Sequence, residues 1–174
     1  KNKLMLSYPS TLTKAEKLDI LALLEEKNRR KEGNKLRDYH AYAKQQEFHA
    51  KGLTDRERLL MAGNQLGKTW SAGFETAMHL TGRYPDWWKG RVFDKAVMGW
   101  AAGVTGEVTR DTAQRLLAGR INAIGTGAIP RDSIKDKSMK RGVADAIDTL
   151  VVRHGGGGDI QAGESVIGFK SYDQ

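Results

Sequence analysis

The segment LLMAGNQLGKTWSAG, Leu59 to Gly73, restricts the fold more than any other part of this 174-residue chain. An apolar run ends in glycine, a short loop follows, and an amphipathic stretch then continues to Gly82. Strand, glycine-bounded loop and helix in this order open a βαβ unit. RERLLMAG is therefore predicted as a strand, and TWSAGFETAMHLTG as a helix that ends at Gly82.

Strand and helix patterns continue to alternate along the chain. KAVMGWAAG predicts a buried parallel strand, and GEVTRDTAQRLLAGR predicts a second helix. DAIDTLVVRH and SVIGFKSYDQ predict two more strands that a glycine turn can join as a hairpin, whereas residues 121–143 are poorly periodic. The pattern indicates a three-layer α/β domain with a mainly parallel sheet.

The first 35 residues predict a helical arm that precedes this domain. Thr13 and Glu16 have capping-box spacing, and apolar residues then recur at three- and four-residue steps until about Arg30. A polar, mostly basic connector follows, and AYAKQQEFHAKG predicts a short helix before the first strand. The predicted division is therefore an arm at residues 1–35 and an α/β domain at residues 36–174.

Composition narrows the class of protein. Lys and Arg number 29 against 21 Asp and Glu, and the formal net charge of +8 favours an anionic partner such as nucleic acid or a phosphate-rich ligand. The chain has no cysteine, which excludes disulfides and thiolate metal sites. Its apolar runs are far shorter than the roughly 20 residues that cross a bilayer, so a soluble intracellular protein without membrane contact is expected.

The glycine-bounded loop matches G-x-x-x-x-G-K-[ST] at every fixed position except the first. Gly67 permits the turn that aims successive amides at one phosphate, Lys68 neutralises phosphate charge, and the Thr69 hydroxyl ligates Mg²⁺. The sequence thus predicts a P-loop NTPase that binds ATP and Mg²⁺, with Lys68 as the catalytic residue; the alternative is a structural glycine turn with a solvated lysine. The predicted loop consists of Ala62, Gly63, Asn64, Gln65, Leu66, Gly67, Lys68 and Thr69.

The acidic residues that phosphoryl chemistry requires are not evident in the sequence. Metal-holding and water-polarising carboxylates normally stand at the carboxyl end of a strand beside the loop. Asp145 and Asp148 instead precede their apolar run, so they are predicted to be solvated or capping residues. The chain is expected to hold half of an ATPase site.

Several segments in order resemble the ATPase domain of the large terminase subunit of tailed bacteriophages, over residues 37–174. They are KQQEFH, AGNQLGKT, YPDWW with GRVF, GWAAG with TRDTAQRLL, and GFKSYDQ. The resemblance implies a motor that uses ATP hydrolysis to drive double-stranded DNA through a portal into a procapsid. The implied partners are the portal protein, the small terminase subunit and further copies in a ring, in the host cytoplasm and transiently at the procapsid portal.

The resemblance also bears on individual residues. Gln45 matches a glutamine that reads the adenine edge in related motors, although a surface glutamine on a helix is an equal alternative. Asn64 and Gln65 stand where many members have an arginine, so that arginine is expected from elsewhere or from a neighbouring subunit. The Walker B strand and nuclease domain of the family are expected beyond Gln174, which implies an incomplete site with weak nucleotide binding and poor hydrolysis.

Other features admit two interpretations. Trp87 and Trp88 suit stacking on bases, but a loop packed as a lid over the sheet is favoured. A basic run, diluted by Asp132 and Asp136, suits a DNA backbone or a solvated face. Alternative functions are a helicase-like or other P-loop enzyme, and a non-enzymatic basic module that binds DNA or capsid. The basic run is Arg131, Lys135, Lys137, Lys140 and Arg141, and the histidines, which lack metal-ligand spacing, are His40, His49, His79 and His154.

Overall fold

The computed structural model describes residues 13–155 and 158–173, which divide into two compact units between Glu32 and Gly33. In the first unit, helix α1 spans Lys14–Glu32. Its start is the predicted capping box: the Thr13 amide donates to Glu16 Oε2 at 2.7 Å, and the Glu16 amide donates to Thr13 Oγ1 at 3.3 Å. The predicted helix is confirmed.

Two of the predicted helices open the second unit. Helix α2 spans Ala43–Lys51 and helix α3 spans Lys68–Thr81. Helix α3 ends where the sequence predicts, because Gly82 adopts a left-handed backbone (φ 68°) and its amide donates to the Met78 carbonyl at 2.8 Å. No helix in the described ranges is long and apolar enough to cross a membrane.

The main sheet has four strands in the order β1-β6-β5-β4. Strand β1 runs parallel to β6, whereas β6 with β5 and β5 with β4 are antiparallel. The strands are β1 (Met98–Gly103), β4 (Ile134–Met139), β5 (Ile147–His154) and β6 (Gly163–Ser171), and a separate pair consists of β2 (Gly119–Arg120) and β3 (Ala123–Ile124).

The predicted hairpin between the last two strands is confirmed, but the mainly parallel sheet is wrong for the described residues. Short connections join β4 to β5 and β5 to β6, and only antiparallel strands can be joined in this way. Strand β4 lies in the poorly periodic stretch for which the sequence predicted no element. Its residues are mostly polar and mostly exposed, and it lies at the edge of the sheet.

Two strand predictions need correction. Residues 56–63 form no strand, because no described strand pairs with them, and Leu59 and Met61 are each 81% exposed. Strand β1 exists but is not buried: Trp100 is 80% exposed, since the strand is hydrogen-bonded to a described neighbour on one side only.

A second helical region follows β1. Helices α4 (Gly106–Thr109) and α5 (Arg115–Ala118) flank a π-helical turn at Arg110–Gln114, which confirms the predicted helix. Buried Gln114 joins this region to β5, because it donates to the Asp145 carbonyl at 3.0 Å and accepts from the Ile147 amide at 2.7 Å.

The core lies between one face of the sheet and α3. That face contributes Leu150, Val152, Ile167 and Phe169, and α3 contributes residues that include Phe74. The opposite face, which includes the exposed residues Trp100 and Arg153, is partly exposed, and α2 packs on α3 instead. The described part therefore has one helix-covered sheet face and not the predicted three layers. Because the sheet packs on α3 from one side and α2 packs on it from the other, the position of the N-terminal end of α3 is fixed.

Candidate functional site

The loop before α3 turns back on itself. Lys68 Nζ donates to the carbonyls of Ala62 at 2.6 Å and Gly63 at 2.7 Å. The turn requires left-handed backbone at Gln65 (φ 61°) and Gly67 (φ 75°). The Ser71 amide donates to the Gly67 carbonyl at 2.8 Å, so the helix begins directly from the loop.

This arrangement brings the predicted loop residues together at the start of a 14-residue helix. Residues 62–66 are exposed, and Gly67 and Lys68 are partly exposed. The first amides of a helix have no partner within the helix and favour an anion at that end. Thr69, in the first turn of α3, places a hydroxyl at the same end. The loop can thus present amides, an ammonium group and a hydroxyl to one phosphate-bearing ligand.

Gln45 lies beneath this loop on α2. It is only 7% exposed, so the surface alternative is wrong. Its Nε2 donates to the Gly67 carbonyl at 3.3 Å, and its Oε1 accepts from the Tyr42 amide at 2.9 Å. Both ends of the side-chain amide are therefore bonded to main chain.

A cavity of about 550 Å³ lies between α2 and the loop. Its lining includes Gln45, Phe48, Met61, Leu66 and Lys68. This volume lies within the range of about 300–1,000 Å³ that is typical of small-molecule sites, which is about the scale of a nucleoside or larger. The cavity is continuous with the loop because Lys68 and Leu66 belong to both.

A buried ionic cluster lies one to two helical turns below the loop. Glu75, on α3, is 6% exposed and accepts from Arg58 Nη1 at 3.3 Å, with its other oxygen paired to Arg58 Nη2. Its oxygens lie 2.8 Å from His49 Nδ1 and 3.4 Å from His79 Nε2. Ser71 Oγ, one turn earlier on α3, lies 3.2 Å from His49 Nε2.

The charge state of Glu75 follows from these contacts. Burial by itself raises the pKa of Glu75, but hydrogen bonds from His49, His79 and Arg58 outweigh it and hold that pKa well below its ordinary value. The carboxylate is therefore ionised at neutral pH.

Sequence reasoning singled out neither Arg58 nor Glu75. The available signal was the four-residue spacing of Ser71, Glu75 and His79, which places polar side chains together on an otherwise apolar helix. The partners on α2 and before the loop are distant in sequence, so the spacing alone does not identify them. The described ranges contain no group of three or more His, Cys, Asp or Glu residues that could hold a metal ion.

The aromatic loop after α3 packs on the fold. The ring centroids of Trp88 and His49 are 5.1 Å apart. Trp88 also donates through Nε1 to the Arg91 carbonyl at 3.1 Å. Trp87 and Trp88 are partly buried against the core. These contacts support a packed loop over base stacking, but the rings pack against His49 on α2 and His79 on α3 and not over the sheet as predicted.

Part of the basic run is neutralised by acidic neighbours. Lys135 pairs with Glu164, whereas Asp132 within the run pairs at 3.0 Å with Arg83, which lies outside the run. Asp148 pairs with Lys170 at 3.3 Å, and its side chain is 40% exposed, in agreement with the predicted solvated residue.

Comparison with known proteins decides the family. A family model described as "Terminase large subunit, T4likevirus-type, N-terminal" matches residues 59–174. The chain belongs to the terminase large-subunit family. It is also 36% identical over 178 residues to "Terminase, large subunit" of Salmonella phage P22. That match covers 94% of this terminase chain but 36% of the relative, so the chain spans about a third of the relative's length. No solved structure matches.

Proposed function

We propose that the loop Ala62–Thr69 binds ATP with Mg²⁺, and that this terminase chain is the nucleotide-binding part of a DNA-packaging ATPase. The observation that supports the proposal most is the curl of the loop around Lys68 Nζ, which two loop carbonyls hold at 2.6 and 2.7 Å. A lysine held by two loop carbonyls differs from the solvated lysine of the structural-turn alternative. The membership of the terminase family points in the same direction.

Each loop residue has a distinct task in this proposal. The amides from Gly63 to Gly67 surround the phosphates, and Lys68 stabilises negative charge that develops on the transferred phosphoryl group. The Thr69 hydroxyl would hold Mg²⁺, the cation that accompanies the β- and γ-phosphates of ATP. Mg²⁺, when bound, neutralises charge between those phosphates.

The chain supplies binding groups but few candidates for water activation. Glu75 is enclosed by Arg58 and His49, and Asp148 pairs with Lys170. We therefore expect this chain alone to bind nucleotide weakly and to hydrolyse ATP poorly.

The wider role follows from the family. We infer translocation of double-stranded DNA into a procapsid, with the portal protein and small terminase subunit as partners and a ring of copies around the portal. The net charge of +8 supports an encounter with DNA, because phosphate neutralisation drives sequence-independent binding. Host cytoplasm and, transiently, the procapsid portal are the expected locations.

Calorimetry with ATP and Mg²⁺ tests the nucleotide site. Lys68→Ala should lose most of the binding heat, because it removes the ammonium group that the loop holds in place. Lys95→Ala is the matched control, since Lys95 is also a lysine but is exposed and outside the loop. Equal ATP affinity in both variants would contradict the proposal. Absence of heat and of a thermal shift in the parent protein would favour the basic DNA- or capsid-binding module instead.

A further inference from the structure

Residues 56–61, the entry segment, lead into the glycine-bounded loop without pairing to a strand of the described ranges. Leu59 and Met61 are each 81% exposed, so burial of these side chains does little to fix the segment. Arg58 differs from them, because only 20% of its side chain is exposed. Within the described ranges, Arg58 is the residue of the entry segment whose side chain bonds to the helices.

Arg58 joins the entry segment to α3. Its Nη1 donates to Glu75 Oε2 at 3.3 Å, and its Nη2 donates to the other oxygen of the same carboxylate. Nη1 also donates to the Phe48 carbonyl on α2 at 2.7 Å, and the guanidinium lies 4.5 Å from the centroid of the Phe48 ring. Two bonds between one guanidinium and one carboxylate fix the orientation of both groups. The pair spans 17 positions of sequence, and the whole loop lies between its members.

Glu75 is a well-fixed attachment point. It lies about two turns after Lys68 on α3 and is 6% exposed. Its oxygens also lie 2.8 Å from His49 Nδ1 and 3.4 Å from His79 Nε2. Because α2 and α3 both contact this carboxylate, its position is set by the helices and Arg58 is held to that position.

We infer that the Arg58–Glu75 pair clamps the entry segment to α3, and that both members are positioning residues for phosphate binding by the loop. The phosphate ligand rests on the proposed function. Lys68 begins α3, whereas the two carbonyls that hold its ammonium group belong to Ala62 and Gly63, directly after the entry segment. The loop therefore keeps its curl only while the entry segment and α3 stay together. Fixing them in advance lowers the conformational entropy that is lost on binding.

The opposite charges of the two residues separate positioning from a direct effect of charge. A cation near a phosphate site favours the bound anion, and a carboxylate disfavours it. If the side chains acted only through their charges, Arg58→Met would weaken phosphate binding and Glu75→Gln would strengthen it. A clamp needs both members, so either substitution weakens binding.

The test measures affinity for tripolyphosphate and for ATP, both with Mg²⁺, by calorimetry on variants that circular dichroism shows to be folded. We expect Arg58→Met and Glu75→Gln each to bind both ligands about fivefold to tenfold more weakly, the size of one hydrogen bond. The double variant should be no weaker than the single variants, because one substitution already breaks the pair. Arg56→Met is the matched control and should bind as the parent does, since Arg56 is an exposed arginine of the same segment.

Two binding results would overturn the inference. One is unchanged or tighter tripolyphosphate binding by Glu75→Gln. The other is a loss for ATP alone in Arg58→Met, because Arg58 would then act through Phe48, which lines the cavity beside the loop. If the parent protein binds neither ligand, the proposed function fails, and a measurement without ligand still decides whether the clamp exists.

Limited proteolysis of the protein without ligand is that measurement. Glu75→Gln leaves the sequence of the entry segment unchanged, so the rate of chymotryptic cleavage after Leu59 and Met61 reports how often the segment leaves the fold. We expect faster cleavage at these bonds than in the parent. Leu150→Ala is the control for general destabilisation, since Leu150 lies in the core on the sheet, and it should be cleaved there at the parent rate while folded. Equal rates in Glu75→Gln and Leu150→Ala would overturn the clamp.

Discussion

Replacing Glu75 with glutamine removes a negative charge from the interior of the second unit and preserves the size of the side chain. Glutamine can still accept from Arg58, but the guanidinium then lies without a counter-charge, with 20% of its side chain exposed. Breaking a buried pair costs about 3–5 kcal/mol, and the partial exposure of Arg58 together with the retained acceptor reduces this. We expect a loss of about 2–4 kcal/mol in the free energy of unfolding at pH 7.

The pH dependence has a defined sign. The pKa of Glu75 lies below its ordinary value of 4.5 in the folded protein, so its stabilising contribution is complete above about pH 4.5 and is lost as pH falls further. Glutamine does not titrate. The stability gap between parent and variant should therefore be constant from pH 7 to about 5 and then narrow, by at most about 1.4 kcal/mol per pH unit.

Urea unfolding followed by circular dichroism at pH 7, 5.5 and 4 measures this gap. Glu47→Gln is the matched control, because Glu47 pairs with Lys44 on the surface and its side chain is 61% exposed. That variant should lose less than about 1 kcal/mol. A loss below about 1 kcal/mol for Glu75→Gln at pH 7, or a gap that stays constant down to pH 4, would refute the reasoning.

Further predictions concern packing and the loop. Leu150→Ala should cost about 2–5 kcal/mol of unfolding free energy, because Leu150 is fully buried, whereas Met98→Ala, at a residue 86% exposed, should cost under about 0.5 kcal/mol by the same urea assay. Gly73→Ala should lower the melting temperature despite the better helix propensity of alanine, since its Cβ would lie 2.3 Å from a Leu116 methyl; a higher melting temperature would contradict this. Thr69→Val should weaken ATP binding with Mg²⁺ more than without it in calorimetry, and an equal loss in both conditions would count against a metal role for the hydroxyl.

The loop motif, the helix that follows it and the final hairpin could be predicted from the sequence because their signals are local. Gly67 and Gly82 mark the two ends of α3 through their left-handed backbone, and a glycine turn between two apolar runs indicates a hairpin. The same locality explains the confirmed capping box at Thr13. The family resemblance, which rests on the order of short segments, is also confirmed.

The failed predictions share a physical cause. An apolar run predicts burial, but whether residues 56–63 form a strand depends on a hydrogen-bonding partner elsewhere in the chain. Strand β4 shows the converse. Its polar residues form a strand because β5 provides a backbone hydrogen-bonding partner. Strand pairing is a long-range property that a local pattern does not contain.

By itself, the sequence determined where the glycine-bounded loop lies and which residues it contains, because Gly67, Lys68 and Thr69 occupy consecutive positions. Only the tertiary structure decided what holds that loop. It placed Gln45 beneath Gly67, and it joined Arg58 to Glu75 across 17 positions of sequence. Contacts between distant residues depend on how helices pack, and packing depends on the whole core and not on any single segment.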